Sequence, residues 1–371
     1  MPQSTQNEHN QSTVDKNLLD LYTDYLISSF SQTTATGFSA MTDHTISHDK
    51  LTRFLSERPY TSKDLWFLVK PRVREIETDD GSISFDDTIV EKEYTGENEI
   101  VAWHYDHSKG RNMKGVNLLN ATYHNPAGTI PLAFETIKKD MLVVDPKTGK
   151  QKRQASINKN QLVRTMVEWI IKNQVKFRYA LADIWFSSKE NMQWIVDHEK
   201  HFIFALKGNR LVSLSLQDKR NGVFHSIDSL QLEQGTAITC YLKGLEFPVA
   251  LMKKVFTNKD GSTGILYLTT SDIDLDADSI FAIYQTRWSV EEYHKSIKSN
   301  LGIAKSPTRT EVTQNNHFFA SIYAYCKLEI LSKKVSTNHF ALKSKLYLKA
   351  LVASFKELQA LKSQMGLTVG A

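Results

Sequence analysis

Cysteine is nearly absent from this 371-residue chain, which holds only Cys240 and Cys326. Two thiols cannot build a disulfide framework or a four-thiolate zinc site. They are expected as buried thiols in a reducing compartment. Glycine and proline are also scarce, at 16 and 8 residues, which argues against long flexible linkers. No run approaches the ~20 apolar residues of a membrane span. The first residues, MPQSTQNEHNQSTVDKN, carry no basic stretch followed by an apolar one. The expectation is therefore a cytoplasmic protein with no secretory signal and no membrane partner. The sequence also lacks GxxxxGK[ST], GxGxxG, GxSxG and HExxH. Nucleotide hydrolysis, dinucleotide redox chemistry and serine-type acyl transfer lose most of their support.

What is present is ordinary in amount and uneven in placement. Hydrophobic residues make up 41% and charged residues 23%, as in a globular chain of two or three compact units. The formal net charge is +5. From Phe281 to the end, however, 13 Lys and Arg face 5 Asp and Glu, and from Glu75 to Asp106 11 acids face a single Lys. A basic C-terminal quarter suits a polyanion such as nucleic acid. The acidic stretch suits bound cations or a solvated hairpin.

The hydrophobic period changes along the chain. NLLDLYTDYLISSF reads as an amphipathic helix, and Ser47 opens a second in SHDKLTRFL. Thr61 opens a third, with Asp64 at the capping-box position and Pro71 after its end. The last two outline a helix-turn-helix, a pattern that any small helical bundle also gives. From residue 82 the period becomes 2: SISFDDTIV, KGVNLLNATYH and TIPLAFETIKK read as three successive strands. A helix (NKNQLVRTMVEWIIKNQ), the strand YALA with Asp183 after it, a helix (KENMQWIVDHEK) and the strand HFIFALK follow. Strands leading into alternating helices and strands predict an α/β core with a mixed sheet. Between about 210 and 275 only short β-like runs are read. Helix returns at Ser279, and the final helix reads as core or dimer packing.

A few acids stand out by placement. Asp86 and Asp87 are read at the end of SISF, Asp183 is the one charge in YALADIWF, and Glu291 lies in IYQTRWSVEEYHKSIK. Carboxylates at strand ends, joined by one from a helix, can hold Mg²⁺ beside a phosphodiester. Taken singly, each Asp reads equally as a turn former or helix cap. On a continuous helix Tyr284, Arg287, Glu291 and Lys298 fall within an arc of roughly 60°. One carboxylate flanked by donors fits a nucleic-acid backbone, and a solvated ladder such as Glu291 with Lys295 gives the same spacing. His44 and His48 bracket a helix cap with no cysteine nearby, a poor zinc site. His104 and His107 read as turn-stabilising residues beside the basic loop of Lys109, Arg111 and Lys114, with an approach to the site as the alternative.

YQTRWSVEEYHKSIK resembles the Y-x2-R-x3-E-x6-K signature of DDE transposases from bacterial cut-and-paste insertion sequences, matching at Tyr284, Arg287, Glu291 and Lys298. LADIWFSSKENM resembles the segment around that family's second catalytic Asp, here Asp183. FDDT, with WHYDHSKGRNMKG after it, resembles the segment around the first. The resemblance spans about residues 45–320. It implies an RNase H-like mixed-sheet core (79–208 and 276–320), with a β-rich insertion at 209–275. Outside these lie a polar tail read as disordered (1–16), a helical DNA-binding region (17–78) and a helical C-terminal region (321–371). It implies Asp86, Asp183 and Glu291 as catalytic residues holding two Mg²⁺, with Mn²⁺ able to substitute. Asp86 stands two places before Thr88, as that family's first Asp often does, and Asp87 stays open as the alternative. Tyr284, Arg287, Lys298, Lys109 and Arg111 are implied as DNA-binding. The implied partners are terminal inverted repeats, target DNA and a second copy in a homodimeric complex, on a bacterial nucleoid. Relatives that pass through a DNA hairpin use a Trp in the insertion, but none of the six Trp falls within 200–280. Tyr241, Phe247, Phe256 or Tyr267 would have to stack there instead. Two other readings remain: a nuclease of the same superfamily without strand transfer, and a non-catalytic DNA-binding descendant.

Overall fold

Small polar residues start the N-terminal helices. The structure, a computed structural model, describes residues 14–106, 109–146, 149–258 and 260–365. Asp15, Thr34 and Ser47 each accept a hydrogen bond from a backbone N–H three residues on, supplying an otherwise orphaned donor of α1 (Lys16–Ser28), α2 (Ala35–Met41) and α3 (His48–Ser56). Before α4 (Ser62–Ile76) the Thr61 N–H donates to Asp64 Oδ2 at 2.8 Å. Pro71 does not end this helix, as its sequence suggested, but lies inside it. The buried stripe Leu65, Val69, Val73 and Ile76 holds the helix through the missing N–H, because Pro71 itself faces solvent. His107 and most of the polar tail lie outside the described residues.

Beyond α4 the chain builds one large mixed sheet. Its first strands are β1 (Ser82–Glu91), β2 (Val101–Asp106), β3 (Arg111–Asn125) and β4 (Gly128–Thr136). β1 and β3 pair antiparallel over ten residues each. Gly115 lies opposite Glu91, where a Cβ would strike the Val90 carbonyl, so the close approach of the two strands needs glycine. β2 and β4 lie end to end along the other edge of β3. β2 was not read from the sequence, nor was the hairpin of β5 (Met141–Val144) and β6 (Gln151–Gln154), a separate two-stranded sheet. Then come α5 (Lys159–Lys172), β7 (Tyr179–Ala182), α6 (Lys189–Asp197) and β8 (His201–Leu206). β7 runs parallel to both β1 and β8.

The segment read as an insertion continues the same sheet. It comprises β9 (Leu211–Ser213), α7 (Leu216–Arg220), β10 (His225–Ser226), β11 (Ala237–Leu242), β12 (Val249–Thr257) and β13 (Thr263–Thr270). Helix is therefore not wholly absent here: Ser215 caps the short α7. β13 pairs antiparallel with β8, giving the order β10-β9-β11-β12-β13-β8-β7-β1-β3-β2, with β4 also on β3. Residues on β7 and β8 alternate between two buried clusters, so both faces of the sheet are covered there. Four helices close the chain: α8 (Ala277–Gln285), α9 (Trp288–Asn300), α10 (Glu311–Lys334) and α11 (His339–Gln364). α10 is buried around most of its circumference, against α1, α3 and β4. Both cysteines are free and buried. The mixed α/β sheet with covering helices is consistent with an RNase H-like transposase domain. Among the described residues, no helix is long and apolar enough to cross a membrane.

Candidate active site

Strand register brings the first two acids together. Parallel pairing sets Phe85 of β1 opposite Ala182 of β7, so Asp86 and Asp183 come next at matched positions on neighbouring strands. Asp86 is not at a strand end, as read from SISF; β1 runs on to Glu91. Asp183 ends β7 and caps a 3₁₀ turn, its Oδ1 accepting from the Trp185 N–H at 2.9 Å. Both carboxyls sit above their usual pKa. Burial, then the Asp183 charge, pushes Asp86 up to about 7. Burial raises Asp183, against the pull of the Trp185 N–H and Arg287.

The two neighbouring acids of β1 differ in their partners. Asp87 is neutralised: Lys159 Nζ lies 2.8 Å from Oδ1, and Asn117 Nδ2 donates to Oδ2 at 2.7 Å. Asp86 faces His294, with Nδ1 3.7 Å from Oδ2. Burial, Lys298 and Arg287 pull that imidazole down to about 3, so it is neutral at pH 7 and this contact is not an ion pair. His294 Nε2 lies 3.1 Å from Asn120 Oδ1, and Asn120 is paired with Asp86 across β1 and β3. The ring thereby ties α9 to the strands that carry the site.

The predicted continuous helix is interrupted. Thr286 and Arg287 interrupt it, separating α8 from α9. Around them backbone N–H groups bond three residues back: Thr286 to Ile283, Arg287 to Tyr284, Ser289 to Thr286 and Val290 to Arg287. This tightened winding turns Tyr284 and Glu291 relative to each other. Arg287 is buried, its Nη2 2.6 Å from Glu291 Oε1 and its guanidinium 5.5 Å from the centre of the Tyr284 ring. It also exerts its charge on Asp86 and Asp183. Glu291 is thus engaged with Arg287. Among the described residues, no group of three or more His, Cys, Asp or Glu side chains gathers as a cation site.

Asp86, Asp87 and Asp183 line a cavity of about 670 Å³, shared with Thr88, His104, Asn117, Lys139, Lys159 and Lys298. Trp103 and Trp185 stand at it with about half of each indole exposed. Tyr241, Phe247, Phe256 and Tyr267 do not line it. His104 is a strand residue of β2 rather than a turn former; burial, Lys139 and Lys159 lower its pKa to about 4. Lys109 and Arg111 lie outside the lining and pair with Glu91, at 3.8 and 3.4 Å. Sequence reasoning missed Asn117 and Lys159 because their link to Asp87 is purely tertiary, and Lys139 because it reaches the cavity through the Trp103 carbonyl. His294, three residues after Glu291, was visible as a same-face neighbour.

The donor set fits a hard divalent cation. Asp86 and Asp183 are neighbouring carboxylates whose burial outweighs the pull of Arg287. The buried Asn117 Oδ1 in the same cavity has no hydrogen-bond partner. A family model described as a transposase DDE domain matches residues 81–327. No curated protein matches the chain.

Proposed function

The chain belongs to the transposase DDE-domain family, and from that premise we propose that it cuts the ends of a mobile element and joins them to target DNA. The observation that carries the reading is the pair Asp86 and Asp183, held at matched positions on neighbouring strands in a lysine-bearing cavity. Asp86, Asp183 and Glu291 would hold two Mg²⁺, with Mn²⁺ able to substitute. The ions would supply Lewis acidity at the scissile phosphate and an activated water. Water attacks phosphorus, the bond to the 3′ oxygen breaks, and a 3′-hydroxyl is freed. That hydroxyl then attacks a target phosphodiester and releases the target's own 3′ oxygen. One phosphodiester replaces another, so no outside energy source is needed.

The remaining residues position DNA. Tyr284, Arg287, Glu291 and Lys298 fit the signature of the cut-and-paste subgroup. Tyr284, Arg287 and Lys298 bind phosphates of the element's end, while Lys109 and Arg111 meet the backbone farther out. A bound phosphate competes with Glu291 for Arg287. The tightened α8–α9 junction then lets Glu291 turn toward the aspartates. The helical region 17–78 binds the terminal inverted repeats, and two copies act in the complex that holds both ends.

The test is incubation with the DNA flanking the gene, with Mg²⁺, followed by mapping of cut and joined strands. The wild type yields free 3′-hydroxyl ends and joined product. Asp183→Asn loses both by on the order of a hundredfold or more. Undiminished cutting by that variant sinks the catalytic assignment, and cut ends with no joined product favour a nuclease instead.

A further inference from the structure

A two-stranded ribbon stands at the rim of the cavity that holds Asp86 and Asp183. β5 and β6 pair with each other, apart from the large sheet. Asp140 closes the base of the ribbon, accepting from the Ser156 N–H at 2.9 Å and from its hydroxyl at 2.6 Å. Arg153 Nη1 donates to the Lys139 carbonyl at 3.3 Å. Ile137 and Lys139 on the way into the ribbon, and Ala155, Ile157 and Asn158 on the way out, line the cavity. A lone hairpin is marginally stable in water, and its open strands invite a partner.

Register divides the ribbon into two unlike faces. Leu142 pairs with Arg153 and Val144 with Gln151, so these four side chains project from one side. Leu142 and Val144 are each 62% exposed, and Gln151 is exposed with them. Within the strands no acid shares this face. Asp145 belongs to the other side, where its Oδ2 lies 2.8 Å from Lys152 Nζ. Arg153 gives one donor to the Lys139 carbonyl, and a guanidinium has five.

Chemistry and charge together select the partner. A guanidinium fits the O6 and N7 edge of guanine, a carboxamide the N6 and N7 edge of adenine, and an apolar group the methyl of thymine. One face that holds all three suits base edges in a major groove. That groove is ~12 Å wide and admits a two-stranded ribbon. Four residues per strand, at ~3.4 Å each, run the length of about four base pairs. Residues 138–154 hold six Lys and Arg against two Asp, so the ribbon attracts a polyanion and repels a second copy of itself. A duplex with one phosphate beside Asp86 and Asp183 lies within the ribbon's reach, because the base of the ribbon is part of the cavity wall.

We propose that the β5–β6 ribbon lies in the major groove of the DNA that enters the cavity, with Gln151 and Arg153 reading base edges. This rests on the DNA reading of the site given above. The test measures binding without Mg²⁺, so a failure to cut and a failure of the ribbon are separate results. The full chain is titrated into a labelled duplex of the DNA flanking the gene and into an unrelated duplex, and fluorescence anisotropy reads both affinities. The wild type prefers the flanking duplex. Gln151→Ala/Arg153→Ala reduces that preference about tenfold or more, at unchanged circular dichroism. Arg153→Lys keeps the charge and loses the fork, so it also lowers the preference while the salt dependence of binding stays the same. Flanking duplexes are then built with 7-deazapurines, which lack the N7 acceptor, in successive blocks of about four base pairs. One block weakens the wild type and leaves the double variant unchanged. The absence of any such block, or undiminished preference in both variants, overturns the ribbon's place in the major groove. A wild type that binds both duplexes alike, or a double variant whose affinities for both fall equally, overturns base reading. A wild type that is dimeric by light scattering, with Leu142→Ser/Val144→Ser monomeric, overturns DNA as the partner of this face.

Discussion

Asp86 shows what a buried carboxyl costs the fold. Its carboxyl titrates near 7 in the folded chain and near 3.9 unfolded. Between those values the folded state keeps a proton that the unfolded chain has released. Stability therefore falls as pH rises from about 4 to about 7, by on the order of a few kcal/mol, and stays reduced above. Asp86→Asn removes the charge at nearly constant shape. At pH 8 this variant melts a few degrees above the wild type, and the gap narrows toward pH 5. Mn²⁺ at pH 8 raises the melting temperature of the wild type and leaves the variant where it was. A gap that does not change with pH would defeat this account. The sequence left Asp86 and Asp87 nearly equivalent, since parity along β1 says that they face opposite ways without saying which way is which. The distinction lies in Lys159, 72 residues away, and no local pattern carries such a contact.

Elements were legible where one local signal dominated and obscure where two competed. Ser47 and Thr61 marked helix starts because capping is local. Pro71 suggested a stop, but the buried stripe of α4 outweighs it, since a proline at an exposed helical position costs only the local bond and some strain. Replacing it with alanine restores that bond and removes no packing. Pro71→Ala is expected to raise unfolding free energy by about 1–3 kcal/mol, measured by urea denaturation. A less stable variant would mean that the proline supplies a bend the core requires. β2 escaped notice because acids crowd the segment before it, and only its pairing with Arg111–Val116 of β3 fixes it as a strand. The break between α8 and α9 has no proline or glycine to announce it. It falls where Tyr284 and Arg287 are buried together.

At the scale of the whole molecule, the sheet makes the segment at 209–275 a structural support for the site. Leu268 on β13 is fully buried in a cluster with Leu181 of β7, Ile203 of β8, and Ile280 and Tyr284 of α8. The strands read as an insertion therefore form part of the floor on which α8 rests, and α8 leads into the helix that carries Glu291. Period-2 runs showed that strands exist in this segment. They could not show that β13 pairs with β8, because register between distant strands is set by shared burial. Leu268→Ala should cost about 2–5 kcal/mol. All six tryptophans lie outside 209–275, so indole fluorescence reports the rest of the chain. Circular dichroism sees every strand and helix. If the sheet unfolds as one body, Leu268→Ala shifts both thermal transitions together and by the same amount. If the segment is an independent unit, the fluorescence transition stays at its wild-type temperature while part of the dichroism signal melts earlier. That separation would remove the argument that these strands hold α8, and through it the helix that carries Glu291, in place.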